Sequence, residues 1–281
     1  MADTKNAAKK KKSGLTRTGH HDAAFERRHM IGGAMSFASS EAYKLLRTNL
    51  FFSFSGETDK GRVVGITSAF KGEGKSITAL NLAYTIAEAE KKVLFVEADM
   101  RLPTMSKRLN LVPTPGLSNL LVGLNSVQDA VQQYAVTPTE GDEPVIMDVI
   151  VAGDVPPNPS ELLGSKRMRA LLTALREYYE FIIIDLPPVT AVADALVVSD
   201  MTDGMVVVVR SNRAVRGALQ ETIRQLRLVD AHILGFVFNG VGEGGGNYYK
   251  GYYKKGYGRG YSKYYSGDYY HGYYKKKSSN D

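Results

Sequence analysis

The 281-residue chain has no cysteine. That excludes disulfides, thiolate metal sites and a cysteine nucleophile, and it suits a reducing compartment such as the cytoplasm. Long apolar runs are missing too: the longest aliphatic stretch is the five residues 205–209, against roughly 20 needed to cross a bilayer. No apolar segment of the signal-peptide kind stands near the N-terminus. Any membrane attachment is therefore expected to be peripheral or through a partner. The C-terminal stretch 244–277, GGGNYYKGYYKKGYGRGYSKYYSGDYYHGYYKKK, lacks Leu, Ile, Val, Phe and Met, yet carries twelve of the seventeen tyrosines. Without aliphatic partners these rings form no core, so 243–281 is expected to be a flexible, compositionally biased tail.

The net charge of +7 is unevenly placed. Residues 1–29 hold eight Lys/Arg against three Asp/Glu, and 247–281 hold eight against two, which leaves 30–246 at −4. The four lysines 9–12 read either as a solvated arm or as a patch drawn to an anionic membrane face or nucleic acid, worth about 1 kcal/mol per basic residue near such a surface. Between the basic ends lies one large unit. A polar arm (1–38) precedes SSEAYKLLRTNLFF, an amphipathic helix expected over 39–55 with Ala42, Leu45, Leu46 and Leu50 on its apolar face. Apolar runs at 62–67, 92–97, 145–152, 181–185, 204–209 and 233–238 then alternate with helical stretches near 76–90, 160–179, 191–200 and 214–229. Strands apolar on both faces and separated by helices predict an α/β fold over 39–242, a doubly wound, mostly parallel sheet.

ITSAFKGEGKSITALNLAYTIAEAE (66–90) runs from strand through a glycine turn into helix. Gly72 and Gly74 let backbone N–H groups wrap a polyphosphate without Cβ clashes, and the helix adds its positive end. Lys75 is placed to reach the β and γ phosphates, and the Ser76 hydroxyl to bind Mg²⁺. Ala69 stands where the first glycine of G-x-x-x-x-G-K-[ST] is usual. Two apolar strands end in acids: FIIIDLPP places Asp185 as a Walker B aspartate, and LFVEADMRLP ends in Glu97, Asp99 and Arg101.

In that order these motifs resemble the bacterial tyrosine kinases (BY-kinases) of capsule and exopolysaccharide synthesis. AFKGEGKS is similar to their Walker A, LFVEADMR to their second acidic motif, and FIIIDLPP to their Walker B. VAGDVPPNPSELLGS (151–165) is similar to a further family segment, and a tyrosine cluster closes the chain. The resemblance covers about 36–281 and implies a P-loop NTPase fold of the MinD/ParA-like superfamily. It implies ATP and Mg²⁺ as cofactors and a nucleotide site made of Ala69, Phe70, Lys71, Gly72, Glu73, Gly74, Lys75, Ser76, Ile77 and Asn239. Lys75, Glu97, Asp99 and Asp185 are its implied catalytic set, with Ser76, Asp99 and Asp185 around the metal. Glu97 stands where the family has Asp as metal ligand and activator of the attacking tyrosine, and Leu186 where it often has Ser or Thr. Glu41, Lys44 and Arg47 resemble the family's Glu-x-x-Arg-x-x-Arg ring motif, with Lys44 replacing an Arg.

The resemblance implies autophosphorylation in trans on Tyr248, Tyr249, Tyr252, Tyr253, Tyr257, Tyr261, Tyr264, Tyr265, Tyr269, Tyr270, Tyr273 and Tyr274. Its split form implies a homo-oligomeric ring in the cytoplasm, held at the inner membrane face by a separate membrane adaptor of the polysaccharide co-polymerase type. Other tyrosine substrates and a cognate phosphatase follow. Three alternatives remain: a weak or inactive kinase because of Glu97, a MinD/ParA-like ATPase, and a nucleic-acid binder using the Tyr/Gly/Lys tail. Phe70 stands where the partitioning ATPases carry a signature lysine, and the phosphate loop argues against a pure nucleic-acid module.

Overall fold

The computed structural model describes residues 35–241 apart from 55, 57–59, 138–141 and 212. The expected basic arm up to residue 34 and the tyrosine-rich tail from 242 onward, all twelve candidate acceptor tyrosines included, lie outside the described residues.

Unbroken apolar runs too short for helices become strands, buried on both faces in β1, β2, β5 and β6 and half-exposed toward the sheet edges in β4 and β7. They are β1 (Arg62–Ser68), β2 (Val93–Glu97), β4 (Val145–Ile150), β5 (Phe181–Asp185), β6 (Gly204–Arg210) and β7 (Ile233–Asn239), joined by β3 (Gln132–Val136). Their order in one sheet is β3-β4-β2-β5-β1-β6-β7, parallel throughout except for the antiparallel β3–β4 pair. The sheet separates two apolar layers. On one face, α2 (Lys75–Glu88) sets Ala79, Leu82, Ala83 and Ile86 against Ile66 and Ile183. On the other, α7 (Lys166–Leu175) and α8 (Asp194–Ser199) set Met168, Leu172, Ala195 and Val198 against Ile182, Ile184 and Val207. Each large side chain removed from water in this way contributes about 1.5–3 kcal/mol.

The remaining helices are α1 (Phe37–Ser53), α3 (Met105–Leu109), α4 (Leu117–Val122), α5 (Val127–Ala130), α6 (Pro159–Leu163) and α9 (Arg216–Leu228). Several elements differ from the sequence expectation, each for a local reason. The first helix starts at Phe37 rather than at residue 39, because Ser36 is the residue that caps it. The helix expected over 160–179 is two, α6 and α7, broken at Gly164 and restarted by Ser165, whose hydroxyl accepts from the Met168 amide at 3.2 Å. The strand expected to reach residue 152 stops at Ile150, since the carbonyls of Val151 and Ala152 accept from Leu117 and Ser118 at the start of α4 instead. β3 has no counterpart in the expectation.

Register places the site. Ile66 of β1 and Glu97 of β2 both pair with Asp185 of β5, so β2 and β5 end level and β1 runs two residues further, to Ser68. The chain leaves all three at the carboxyl edge, where ligands of open α/β sheets bind.

Candidate active site

The loop from β1 to α2 is shaped by two left-handed residues, Gly72 (φ 84°) and Gly74 (φ 94°). A side chain costs energy in this region, and at Gly74 a Cβ would also collide with the Asn239 amide nitrogen. Asn239, at the end of β7, donates from Nδ2 to the Glu73 carbonyl (2.9 Å) and accepts the Gly240 amide on Oδ1 (2.8 Å). Glu73 is buried and accepts the Phe70 amide (2.8 Å), so the loop closes on itself. Ala69 is buried and Ile77 packs on the α2 core, whereas Phe70 and Lys71 face solvent.

Lys75 begins α2 and folds back over the loop's mouth, 8% exposed. Its Nζ lies 3.0 Å from Asp99 Oδ2, 3.6 Å from Asp185 Oδ1 and 3.2 Å from Ser76 Oγ. The structure thus gathers Lys75, Ser76, Asp99 and Asp185 from three segments. Burial alone would pull the Lys75 ammonium down, but the Asp185 and Asp99 charges outweigh it and hold it above its ordinary value. Asp185 is 1% exposed, and its Oδ1 makes no hydrogen bond. Burial pushes its carboxyl up, against the pull of Lys75.

Glu97 stands beside Asp185 but is engaged differently. Oε1 accepts the amides of Thr104 (2.6 Å) and Met105 (2.9 Å), and Oε2 accepts that of Ala152 (3.1 Å). Burial raises its carboxyl above the usual range while those three amides pull it back. Both oxygens are therefore committed to the loops entering α3 and leaving β4. Arg101, of the same motif, forms a fork with the fully buried Asp194 (Nε–Oδ2 2.9 Å, Nη2–Oδ1 3.0 Å) and also reaches Ser160 Oγ at 3.0 Å. Ser160 in turn bonds Asp194, which ties the loop after β2 to α6 and α8. Asp194 was not anticipated; an acid opening a helix carries no signal of its partner.

Ser76 Oγ and the carboxylates of Asp99 and Asp185 are hard oxygen donors of the kind Mg²⁺ takes, and Asp185 Oδ1, which makes no hydrogen bond, lies 3.6 Å from the Lys75 ammonium. Among the described residues no cluster of three or more His, Cys, Asp or Glu forms a metal cage.

On α1, Lys44 lies 3.3 Å from Glu41 and 4.0 Å from Glu88, and Arg47 is 3.5 Å from Glu88 while donating to the Thr85 carbonyl. Within one chain this stripe docks α1 onto α2. Leu45 and Phe52 of the same helix are 61% and 75% exposed.

A glycine loop between a buried strand and a helix, with lysine, hydroxyl and acids at one sheet edge, defines a P-loop nucleotide-binding fold. Residues 61–234 match the AAA domain family. The tyrosine-protein kinase YwqD of Bacillus subtilis is 38% identical over 72% of this chain and 81% of that protein. Among solved structures, the kinase domain of the Escherichia coli tyrosine kinase Etk has a TM-score of 0.66 and 33% identity, covering 72% of this chain and 76% of that one. The chain belongs to the bacterial tyrosine-protein kinase family. The Pyrococcus furiosus cell division ATPase MinD, 24% identical with a TM-score of 0.52 over 65% of this chain and 73% of that one, shares the fold.

Proposed function

We propose that this chain is an ATP-dependent protein-tyrosine kinase that phosphorylates its own C-terminal tyrosines in trans and regulates capsular or extracellular polysaccharide synthesis and export. One observation carries the reading: Asp185 Oδ1 is buried without a hydrogen-bond partner beside Lys75 and Ser76, at the mouth of a phosphate loop. A buried carboxylate oxygen that has an ion pair but no hydrogen bond keeps a lone pair for a bound cation.

In the reaction, the loop amides and Lys75 hold the phosphates of ATP, and Gly72, Gly74 and the N-terminus of α2 shape their cradle. Ser76, Asp99 and Asp185 would hold Mg²⁺, which supplies neutralisation of charge on the transferring phosphoryl group. The tail phenol oxygen forms a bond to the γ-phosphorus as the bridging P–O bond to ADP breaks, and the phenol proton passes to a carboxylate. The resemblance gives that role to Glu97. This reading moves the role to Asp99, the more exposed of the two at 8% against 1%, whose oxygens meet Lys75 and, at a longer 3.3 Å, the Leu102 amide, while Glu97 holds three amides. Glu97 then shapes the site as a clamp on its loops.

A phenol is a poor nucleophile until placed in line and relieved of its proton, and the tail tyrosines of one subunit would meet these groups in a neighbour's site. Glu41, Lys44 and Arg47, with the exposed Leu45 and Phe52, form the subunit contact of a ring in this reading. Among the described residues no helix is long and apolar enough to cross a membrane; in this reading a separate adaptor holds the enzyme at the inner face of the membrane. Other protein tyrosines would be substrates, and a phosphatase would reset the tail. The test is incubation with Mg-ATP and an anti-phosphotyrosine readout, comparing the chain with Lys75→Met. Phosphotyrosine on the parent alone supports the kinase; equal signals in both remove it.

A further inference from the structure

Four carbonyls of the phosphate loop are gripped from outside by side chains. Ser68 Oγ donates to the Phe70 carbonyl (2.8 Å), Thr190 Oγ1 to that of Ala69, Arg210 Nη1 to that of Gly72 (3.1 Å) and Asn239 Nδ2 to that of Glu73 (2.9 Å). The grips come from different elements. Thr190 lies beyond Asp185 on a loop pinned to β1, where the Val189 amide bonds the Ser68 carbonyl (3.0 Å) and Thr67 Oγ1 the Pro187 carbonyl (2.7 Å). Arg210 and Asn239 end the neighbouring strands β6 and β7 and are register partners.

In a planar trans peptide the carbonyl of one residue and the N–H of the next point opposite ways. Holding the carbonyls of Phe70, Gly72 and Glu73 outward therefore turns the amides of Lys71, Glu73 and Gly74 to the loop's inner side. The Ala69 grip instead sets the Phe70 amide that bonds Glu73 Oε2 at 2.8 Å. Two glycines at positive φ make this loop pliable, and a pliable loop would otherwise lose affinity to disorder.

We propose that Thr190 and Arg210 are positioning residues of the nucleotide-phosphate site: Arg210, by holding the Gly72 carbonyl, pre-sets the Glu73 amide toward phosphate, and Thr190, by holding the Ala69 carbonyl, fixes the Phe70 amide whose bond to Glu73 closes the loop around that cradle. The proposal rests on reading this loop as a nucleotide site. Neither residue belongs to the strand–glycine–helix motif, and each acts through the backbone rather than by touching phosphate. Because β7 leads directly into the tail, the same collar joins the root of the tail to the phosphate cradle through Asn239.

The experiment titrates the full chain with a fluorescent ATP analogue and Mg²⁺, then displaces the probe with tripolyphosphate. Thr190→Val and Arg210→Met are each expected to weaken both ligands by about threefold to tenfold, the effect of one hydrogen bond. The nucleotide-free Tm should stay within about 2 °C. Thr190→Ser and Arg210→Lys, which keep a donor, should bind within about twofold of the parent. Parent-like affinity in Thr190→Val and Arg210→Met overturns the proposal, as does a loss the donor-keeping variants fail to restore. Should Arg210→Met fail to fold, Arg210→Gln replaces it under the same criteria. A parent that binds nucleotide but forms no phosphotyrosine would sink the kinase reading and leave this one standing.

Discussion

Glu97 and Asp185 end adjacent parallel strands, pair in register and are each 1% exposed. In sequence they carry the same signal, an acid closing an apolar run. In the fold their environments diverge. Glu97 accepts three backbone amides, whereas Asp185 keeps an oxygen with no hydrogen bond and leans on Lys75 at 3.6 Å. Burial raises both carboxyls. The same acid-at-a-strand-end signal thus leads in one case to a carboxylate satisfied by backbone amides and in the other to one paired with a lysine and short of a hydrogen bond.

Substitution should separate the two roles. The largest effect is expected for Asp185→Asn, which leaves the shape intact: tail phosphotyrosine should fall by about 10²-fold or more in a timed Mg-ATP assay, with little change in the nucleotide-free Tm. Next comes Glu97→Ala, which strands three buried amides. It should lower stability by about 4 kcal/mol, and Tm by on the order of 10 °C in a domain of this size. If Glu97→Ala melted like the parent while losing only activity, the clamp assignment would be wrong.

A smaller effect is a pH slope. A carboxyl raised in the folded state stabilises fully below its unfolded value, and that contribution is lost as pH rises through its higher folded value. The nucleotide-free parent should therefore lose Tm from the ordinary aspartate range upward, and Asp185→Asn should flatten part of that decline. A slope unchanged in the variant would remove Asp185 as its source. The smallest effect is on the solvated face of α9. There Arg224 forks onto Glu221 at 2.6 and 2.8 Å and holds its carboxyl down to about 2, with Gln225 assisting. A depressed acid contributes above its unfolded value and loses that contribution as pH falls through about 2. Glu221→Gln should still leave the Tm at pH 7 unchanged within error, because an exposed pair contributes little.

Most of the sheet was legible because strands buried on both faces are written as unbroken apolar runs, as in FIIID and GMVVVV. β3 was not: QQYAV is short, half-exposed and antiparallel at the sheet edge, so it shows neither a run nor a clean alternation. The site divides in the same way. Gly72, Gly74, Lys75, Ser76 and Asp185 were readable because their spacing is local, and Asp99 because it follows a strand end. Thr190, Arg210, Asp194 and the clamp on Glu97 were not. Each depends on a partner at least 7 residues away and up to 138.

By itself the sequence determined the six apolar strands, the phosphate loop and the presence of an acid at each of two strand ends, since hydrophobic period and glycine placement act over a few residues. Only the tertiary structure decided which acid is satisfied and which is held open, and which side chains grip the loop from outside. Hydrogen bonding is short-ranged and directional, so those assignments exist only once β1, β2, β5, β6 and β7 end side by side.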